Sequence, residues 1–506
     1  MKKINRLFTA IIISTSLLVG CSKFLDLNPP YTQDAENFFQ NEQDYLRALT
    51  GAYDLLQGTF WNTLTALVAS DDYAAGGDPF NYDQPTLQNI NLMIHTPDDE
   101  NQLRDIWGLM YAGINRANYV LENKDKTDFA GKDGIIAEAY FLRAYFTFEL
   151  VKFFGNVPLK TEELGGVLRI SDARILAGDE FAMERVADIP TAYELIAEDL
   201  KDAIPNLPAK QTLPYKATKG AAQALLGKLY LYHATYDNSK FTAAATELNK
   251  VIADGQYSLT TGDDFVSMFE IGGENGTESV FEIQYSSVMA ASWSNINGSN
   301  GNYFPKFNGP RSPYDDPVFD AGWGFCLPKV ALYELFDAAD ARRDLTFYDL
   351  RDDQDRYGQG REDSGLFNKK YMPRAEPKRS GSDPLNYDNN IRAIRYADVL
   401  LMAAEAEAQS GGTNAEDYLN QVRARAYGDN SKDYQASEGA LLEAIYTERR
   451  KELAGEGHRF FDLVRTKKAA ATIEGFTENK NEIFPIPLIE LKLVLAEERW
   501  GQNQGY

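Results

Sequence analysis

Apolar side chains recur at helical spacing over much of this chain, and the recurrence fades in two places. In "IIAEAYFLRAYFTFELVKFFGNVPL", Ile136, Tyr140, Arg143, Thr147 and Leu150 lie along one stripe, while Phe141, Tyr145, Phe148 and Phe153 cover much of the rest. A helix apolar over most of its circumference is one packed among other helices. Gly155-Asn156 and then Pro158 supply its C-terminal stop. "KATKGAAQALLGKLYLYHATYDNSKFTAAATELNKVIADG" reads as a helix rich in small residues, a polar turn at Asp237-Asn238-Ser239 and a second amphipathic helix ending at Gly255. Leu226-Gly227, Tyr230, Ala244, Leu248 and Val251 approximate the tetratricopeptide pattern, with a longer turn than that repeat usually has. A second copy lies in "IRYADVLLMAAEAEAQSGGTNAEDYLNQVRARA", with Gly411-Gly412 at the turn, Thr413 or Asn414 as cap, and Ala415, Leu419 and Val422 repeating the second-helix spacing. Residues 42–56, 103–121 and 191–204 supply further helical halves. Stacked hairpins of this kind predict an all-α fold with a curved scaffold.

Periodicity fades between about residues 256 and 390, where Gly, Pro, Asn, Asp, Trp and Tyr take over. So long a stretch without period is functional or disordered. Trp293, Tyr303, Phe304, Phe307, Phe319, Trp323 and Phe325 are the wrong residues for a solvated linker. A smaller stretch of the same character runs from Phe60 to Tyr82, "FWNTLTALVASDDYAAGGDPFNY".

Composition narrows the function. The 506 residues are 44% hydrophobic and 25% charged, as in ordinary globular proteins, with a net charge of −24. That balance argues against nucleic acid, whose binding needs clustered Lys and Arg, and against anionic lipid head groups. Cys326 has no partner for a disulfide, and His95, His233 and His458 stand in no metal-ligand spacing, so no metal or cofactor is expected. "RDDQDRYGQGRED" begins like a calcium loop at Asp353, Asp355 and Gly358, but it has Tyr357 at a ligand position and no closing Glu.

The N-terminus carries its own signal. Lys2, Lys3 and Arg6 precede an apolar stretch from Leu7 to Val19, shorter than the roughly 20 residues a membrane span needs and matching a signal-peptide core. Its end, Leu18-Val19-Gly20-Cys21, resembles a bacterial lipobox. That resemblance implies cleavage after residues 1–20 and lipidation of Cys21, with several acyl chains anchoring the protein stably. Residues 21–40 then form a tether, and 41–506 form the domain, with helical scaffold at about 41–255 and 391–506 and a loop-rich ligand region at about 256–390.

Six segments, in order along nearly the whole mature chain, resemble the SusD/RagB family of outer-membrane nutrient-binding lipoproteins. They are "CSKFLDLNPP", "AEAYFLRAYFTFELVKFFGNVPL", "DARRDLT", "IRYADVLLMAAEAEAQ", "ERRKELAGEGHRFFDLVR" and "IFPIPLIEL". The resemblance implies an all-α scaffold of tetratricopeptide-like pairs with a loop-rich ligand surface, and a cell-surface, lipid-anchored place on the outer membrane. It also implies a partner, a SusC-like TonB-dependent transporter, over which the protein captures oligosaccharide or, in some members, peptide, without catalysis.

"ERRKELAGEGHRFFDLVR" looks at first like a catalytic cluster, with Glu448, Arg449, Arg450, Glu452, Glu456, His458, Arg459, Asp462 and Arg465 close together. It reads better as a helix–Gly–helix corner whose opposite charges pair, with Leu453, Phe460, Phe461, Leu463 and Val464 in the core. Ligand recognition belongs to loops on a rigid scaffold. A sugar offers an apolar C–H face and a rim of hydroxyls, so it needs aromatic platforms beside hydrogen-bonding groups. Candidate platforms are Trp61, Tyr73 and Tyr82 in the first loop region, and Trp293, Tyr303 and Trp323 in the second. Candidate hydroxyl partners are Asp71, Asp72, Asn295, Asn297, Asn300 and Arg311. A competing class is a surface glycoside hydrolase, for which Asp71-Asp72 and Asp315-Asp316 offer acidic pairs, although neighbours in a chain seldom face each other across a substrate.

Overall fold

The computed structural model describes residues 38–99, 101–159, 185–289, 300–376, 385–493 and 500–506. Cys21, Trp293, Asn295 and Asn297 lie outside the described residues, as do the signal segment and most of the tether. Among the described residues, twelve helices of seven residues or more follow in chain order. They are α1 (Glu42–Asp54), α2 (Phe60–Val68), α3 (Pro85–Asn91), α4 (Asn101–Glu122), α5 (Lys132–Phe154), α6 (Ile189–Ala203), α7 (Lys219–His233), α8 (Lys240–Asp254), α9 (Tyr396–Ser410), α10 (Ala415–Tyr427), α11 (Leu441–Glu452) and α12 (Arg459–Arg465).

The expected aromatic helix is α5. It is buried on nearly every side and packs against α4 and α6, as its all-round apolar surface requires. Gly155, at φ +74°, ends it. The two predicted hairpins are α7–α8 and α9–α10, and α8 packs on α9, so the pairs stack. Gly227 permits the first pair to close, because a Cβ there would stand 2.5 Å from Leu248 Cγ. Asp188 and Thr218 cap α6 and α7 with their side chains. Asn414 takes the cap position of α10 without a side-chain cap bond.

One expectation fails. Phe60–Val68 is not loop but helix, continuing from a 3-10 turn at Leu55–Thr59. All of its residues except Thr63 are buried, so the segment has no polar face from which to read a period.

The loop-rich part is held by three antiparallel two-stranded ladders formed by β1 (Tyr73–Gly76) with β3 (Phe325–Pro328), β2 (Ser279–Ile283) with β6 (Ile391–Arg395), and β4 (Phe347–Asp349) with β5 (Leu366–Asn368). Its rings belong to the main core, where Phe304, Phe307 and Phe325 are buried with the scaffold helices. Phe319, Leu327, Leu350, Tyr357, Phe367 and Met372 form a smaller core of their own.

The charged corner at α11–α12 pairs as expected, though mostly with distant partners. Arg395 meets Glu278, Glu452 and Glu456 at 2.5, 3.0 and 2.8 Å. Arg425 meets Glu278 and Glu452, Arg342 meets Asp340, Glu448 and Glu452, Lys370 meets Glu456, and Lys451 meets Asp340. Arg449 and Arg465 bind Asp398 and Glu405 of α9. These ions clamp the loop-rich part to the helical scaffold. Burial pushes the His458 imidazole down to about 3, so it stays neutral within the cluster.

Candidate ligand-binding site

The β1–β3 ladder brings together the two regions that lack a readable period. Tyr73 lies opposite Pro328 and Gly76 opposite Phe325, and Gly77 N–H donates to Gly324 O at 2.8 Å. Between them opens a pocket of about 550 Å³. Trp61 of α2, Tyr303, Phe307, Trp323 and Phe325 form its aromatic side, and Asp83, Gln84 and Arg311 its polar side.

The rings make one connected wall. Trp61 meets Tyr303 edge-on with centroids 5.6 Å apart, and meets Phe307 at 5.8 Å. Phe307 in turn meets the half-buried Trp323 at 5.0 Å and 87°. Such edge-to-face contacts hold each ring in place. Trp323 is also fixed through its backbone, donating to Lys306 O at 2.7 Å. Its two glycine neighbours have separate reasons. A Cβ on Gly322 would lie 2.5 Å from the Gly309 backbone, and Gly324 stands at φ +65° with the Arg311 side chain against it.

Arg311 ties the two sides together. Its Nη1 donates to Trp323 O at 2.8 Å, and its guanidinium lies at ion-pair distance from Asp83 (3.7 Å) and Asp78 (3.8 Å) on the first loop. Beside the pocket, Tyr82 is exposed under Arg361, whose guanidinium sits 4.4 Å from the ring centroid. Phe80, 89% exposed, stands two residues away.

Two polar atoms on the lining are buried and unsatisfied. Among the described residues, Trp61 Nε1 and the Tyr303 hydroxyl make no hydrogen bond of good geometry, and the two lie close enough to interact with each other. Burial pushes the Tyr303 phenol far above its ordinary range, so it remains a hydroxyl donor. Buried polar groups are normally satisfied, and here the two groups are left to each other.

The structure therefore gathers Trp61, Tyr303, Arg311 and Trp323 at one pocket and sets Tyr82 beside it. It does not bring Asp71, Asp72 and Tyr73 there. Asp71 accepts from Arg459 at 2.8 and 3.0 Å and from Arg450 at 3.0 Å, and Asp72 accepts from Arg450 at 2.9 Å. Burial opposes ionisation of Asp71, but the guanidiniums of Arg459 and Arg450 outweigh it and hold its pKa below the usual range. Both carboxylates are thus spent inside the scaffold. Tyr73 is 1% exposed and packed in the core. Asn300 lines a neighbouring cleft. Sequence reasoning missed Phe307, Asp83 and Gln84, for which nothing in the local pattern distinguishes lining from core or solvated loop.

A separate cavity of about 600 Å³ lies among scaffold elements, walled by Tyr193, Tyr232, Phe461 and Phe476. No described helix is long and apolar enough to cross a membrane.

A family model described as "Starch-binding associating with outer membrane" matches residues 23–231, and one described as "SusD family" matches residues 346–484. Among curated proteins, "SusD-like protein P2" of Formosa agariphila is 28% identical over the whole of both chains. Among solved structures, surface glycan-binding protein A from Bacteroides thetaiotaomicron in complex with laminarihexaose is 26% identical, with 91% of this chain and 99% of that chain covered and a TM-score of 0.79. A laminarin-binding SusD-like protein is 33% identical, with 92% of this chain and 100% of that one covered and the same TM-score of 0.79. With its mostly helical fold and similarity to glycan-binding relatives along nearly its full length, this chain belongs to the SusD-like family.

Proposed function

We propose that this protein is a non-catalytic surface receptor that captures a glycan of the laminarin type in the pocket between Trp61 and Trp323. The observation that carries the reading is the aromatic wall of Trp61, Tyr303, Phe307 and Trp323 in one pocket with Arg311, Asp83 and Gln84. The rings suit the C–H faces of sugars, and the polar side suits their hydroxyls. One structural relative is a laminarin-binding protein and another is held in complex with laminarihexaose, which supports this cargo over other glycans and over peptide.

Binding is favoured over hydrolysis. The lining described contains one carboxylate, Asp83, held near Arg311, whereas glycoside hydrolysis uses a facing pair. Asp71 and Asp72 are occupied by arginines, and Asp316 is bonded to Tyr348. In this account Cys21 carries the lipid anchor, the domain faces outward from the outer membrane, and captured glycan passes to a SusC-like TonB-dependent channel. Calorimetric titration of the soluble form, begun after Cys21, with laminarihexaose tests the proposal. Saturation at about one ligand per chain is expected. Heat that persists with excess sugar means turnover, and silence refutes the cargo.

A further inference from the structure

A second cleft lies next to the pocket. Its volume is about 320 Å³, and Tyr53, Asp54, Gln57, Tyr215, Gln284 and Asn300 contribute to its lining. Two chain segments serve both cavities. Gln57 lines the cleft and Trp61 the pocket, four residues apart on the continuous stretch from the 3-10 turn into α2. Asn300 lines the cleft and Tyr303 the pocket. At helical rises, four residues separate Gln57 and Trp61 by about 6–8 Å along the axis. The Phe60–Tyr303 contact, with centroids 4.2 Å apart, stands at the junction of these two segments.

The chemistry of the cleft repeats that of the pocket. Tyr215 is half-buried, edge-on to Tyr53 at 5.4 Å and 76°, and its hydroxyl makes no hydrogen bond among the described residues. Tyr53 serves as backing, since its own hydroxyl is committed to Glu138 at 2.8 Å. Gln57 is held by its Nε2 donating to Gln284 O at 2.9 Å and by Tyr285 Oη donating to its carbonyl at 2.5 Å, which leaves its Oε1 open. Among the described residues Asp54 pairs with Arg116 alone, at 3.4 Å, and is largely solvated. Gln284 is wall rather than partner, because Asn275 and Asn390 occupy both ends of its amide. Tyr215 therefore offers both its ring and its phenol, beside the Gln57 amide oxygen and the solvated Asp54 carboxylate, to a sugar and its hydroxyls.

We infer that this cleft is a further sugar subsite, so that one oligosaccharide long enough to pass the Phe60–Tyr303 junction is held in both cavities. The inference rests on the glycan reading of the pocket. A ligand that fills both sites makes the second contact intramolecularly, so affinity rises with chain length.

Calorimetric titration with laminaritriose and laminarihexaose tests this. The wild type is expected to bind the hexasaccharide at least about tenfold tighter than the trisaccharide. Tyr215→Ala and Asn300→Ala are each expected to remove most of that gain while leaving trisaccharide affinity within about twofold, which also certifies that the variants are folded. Equal wild-type affinity for the two sugars, or an undiminished hexasaccharide affinity in both variants, overturns the subsite while the pocket reading stands. Failure of the wild type to bind either sugar overturns the pocket reading and the subsite together.

Discussion

Glu452 provides the sharpest test of how the loop-rich part is fastened to the scaffold. One of its carboxylate oxygens accepts from Arg395 at 3.0 Å and from Arg425 at 2.6 Å, and the other from Arg342 at 3.2 Å. The side chains in this cluster are almost wholly buried. Arg342, Arg395, Arg425, Lys370 and Lys451 are balanced there by Glu278, Asp340, Glu448, Glu452 and Glu456. Glu452→Gln keeps the shape and leaves one uncompensated buried cation, which costs about 3–5 kcal/mol. The folding equilibrium then falls by about a hundredfold to a few thousandfold. Urea unfolding at pH 7, followed by circular dichroism, reads this as a lower midpoint at unchanged slope.

Glu452→Gln combined with Arg425→Gln restores charge balance, so the double variant is expected to be more stable than the sum of the singles by at least about 1 kcal/mol. Burial resists the Glu452 charge, but Arg425, Arg395 and Arg342 prevail and hold its pKa well below the ordinary 4.5. Its contribution is therefore present above pH 4.5 and lost as pH falls through the depressed folded value, so the gap between wild type and Glu452→Gln narrows in acid. A cost under about 1 kcal/mol, or strict additivity in the double variant, refutes the clamp.

Glu274 has the opposite sign: burial raises its carboxyl to about 7 against the pull of Arg392. The stability this group confers is complete below about pH 4.5 and lost as pH rises through about 7, amounting to about 3 kcal/mol, and Glu274→Gln is expected to abolish that part of the pH profile in urea titrations. Gly322→Ala drives a Cβ against the Gly309 backbone, costing about 1–3 kcal/mol in thermal or urea unfolding and weakening laminarihexaose binding with it, because Trp323 loses its seat. Arg311→Met releases both Trp323 O and the Asp78–Asp83 loop, and is expected to weaken laminarihexaose binding in calorimetry by about tenfold or more at little cost in melting temperature.

Much of the scaffold was legible because burial writes itself as a period. Lys132–Phe154, its stop at Gly155 and the two hairpins follow from residue spacing alone. The charged corner was legible as pairing but not as to partners, since Arg395 and Glu452 are 57 residues apart and meet only through the fold. The same limit applies to Asp71 and Asp72. An acidic pair among loop aromatics has the composition of a sugar site, and only the tertiary structure reveals Arg450 and Arg459, 378 to 388 positions away, already bound to it. Trp61 was assigned to loop, because a helix buried at every residue but Thr63 has no polar stripe. That Trp61 and Trp323 meet at one pocket depends on the β1–β3 ladder, whose strands are four residues each and separated by about 250 others.

The central claim is that the pocket walled by Trp61, Tyr303, Phe307 and Trp323 holds the glycan. The most direct measurement is equilibrium affinity for laminarihexaose in wild type, Trp323→Ala and Asp71→Asn, each checked for folding by circular dichroism. Removing a central aromatic anchor costs about 2 kcal/mol or more, so Trp323→Ala should weaken binding at least about thirtyfold. Asp71→Asn should leave affinity within about twofold while lowering stability, since its carboxylate is bound to arginines away from the pocket. Unchanged affinity in folded Trp323→Ala, or a large loss in folded Asp71→Asn, would contradict the account.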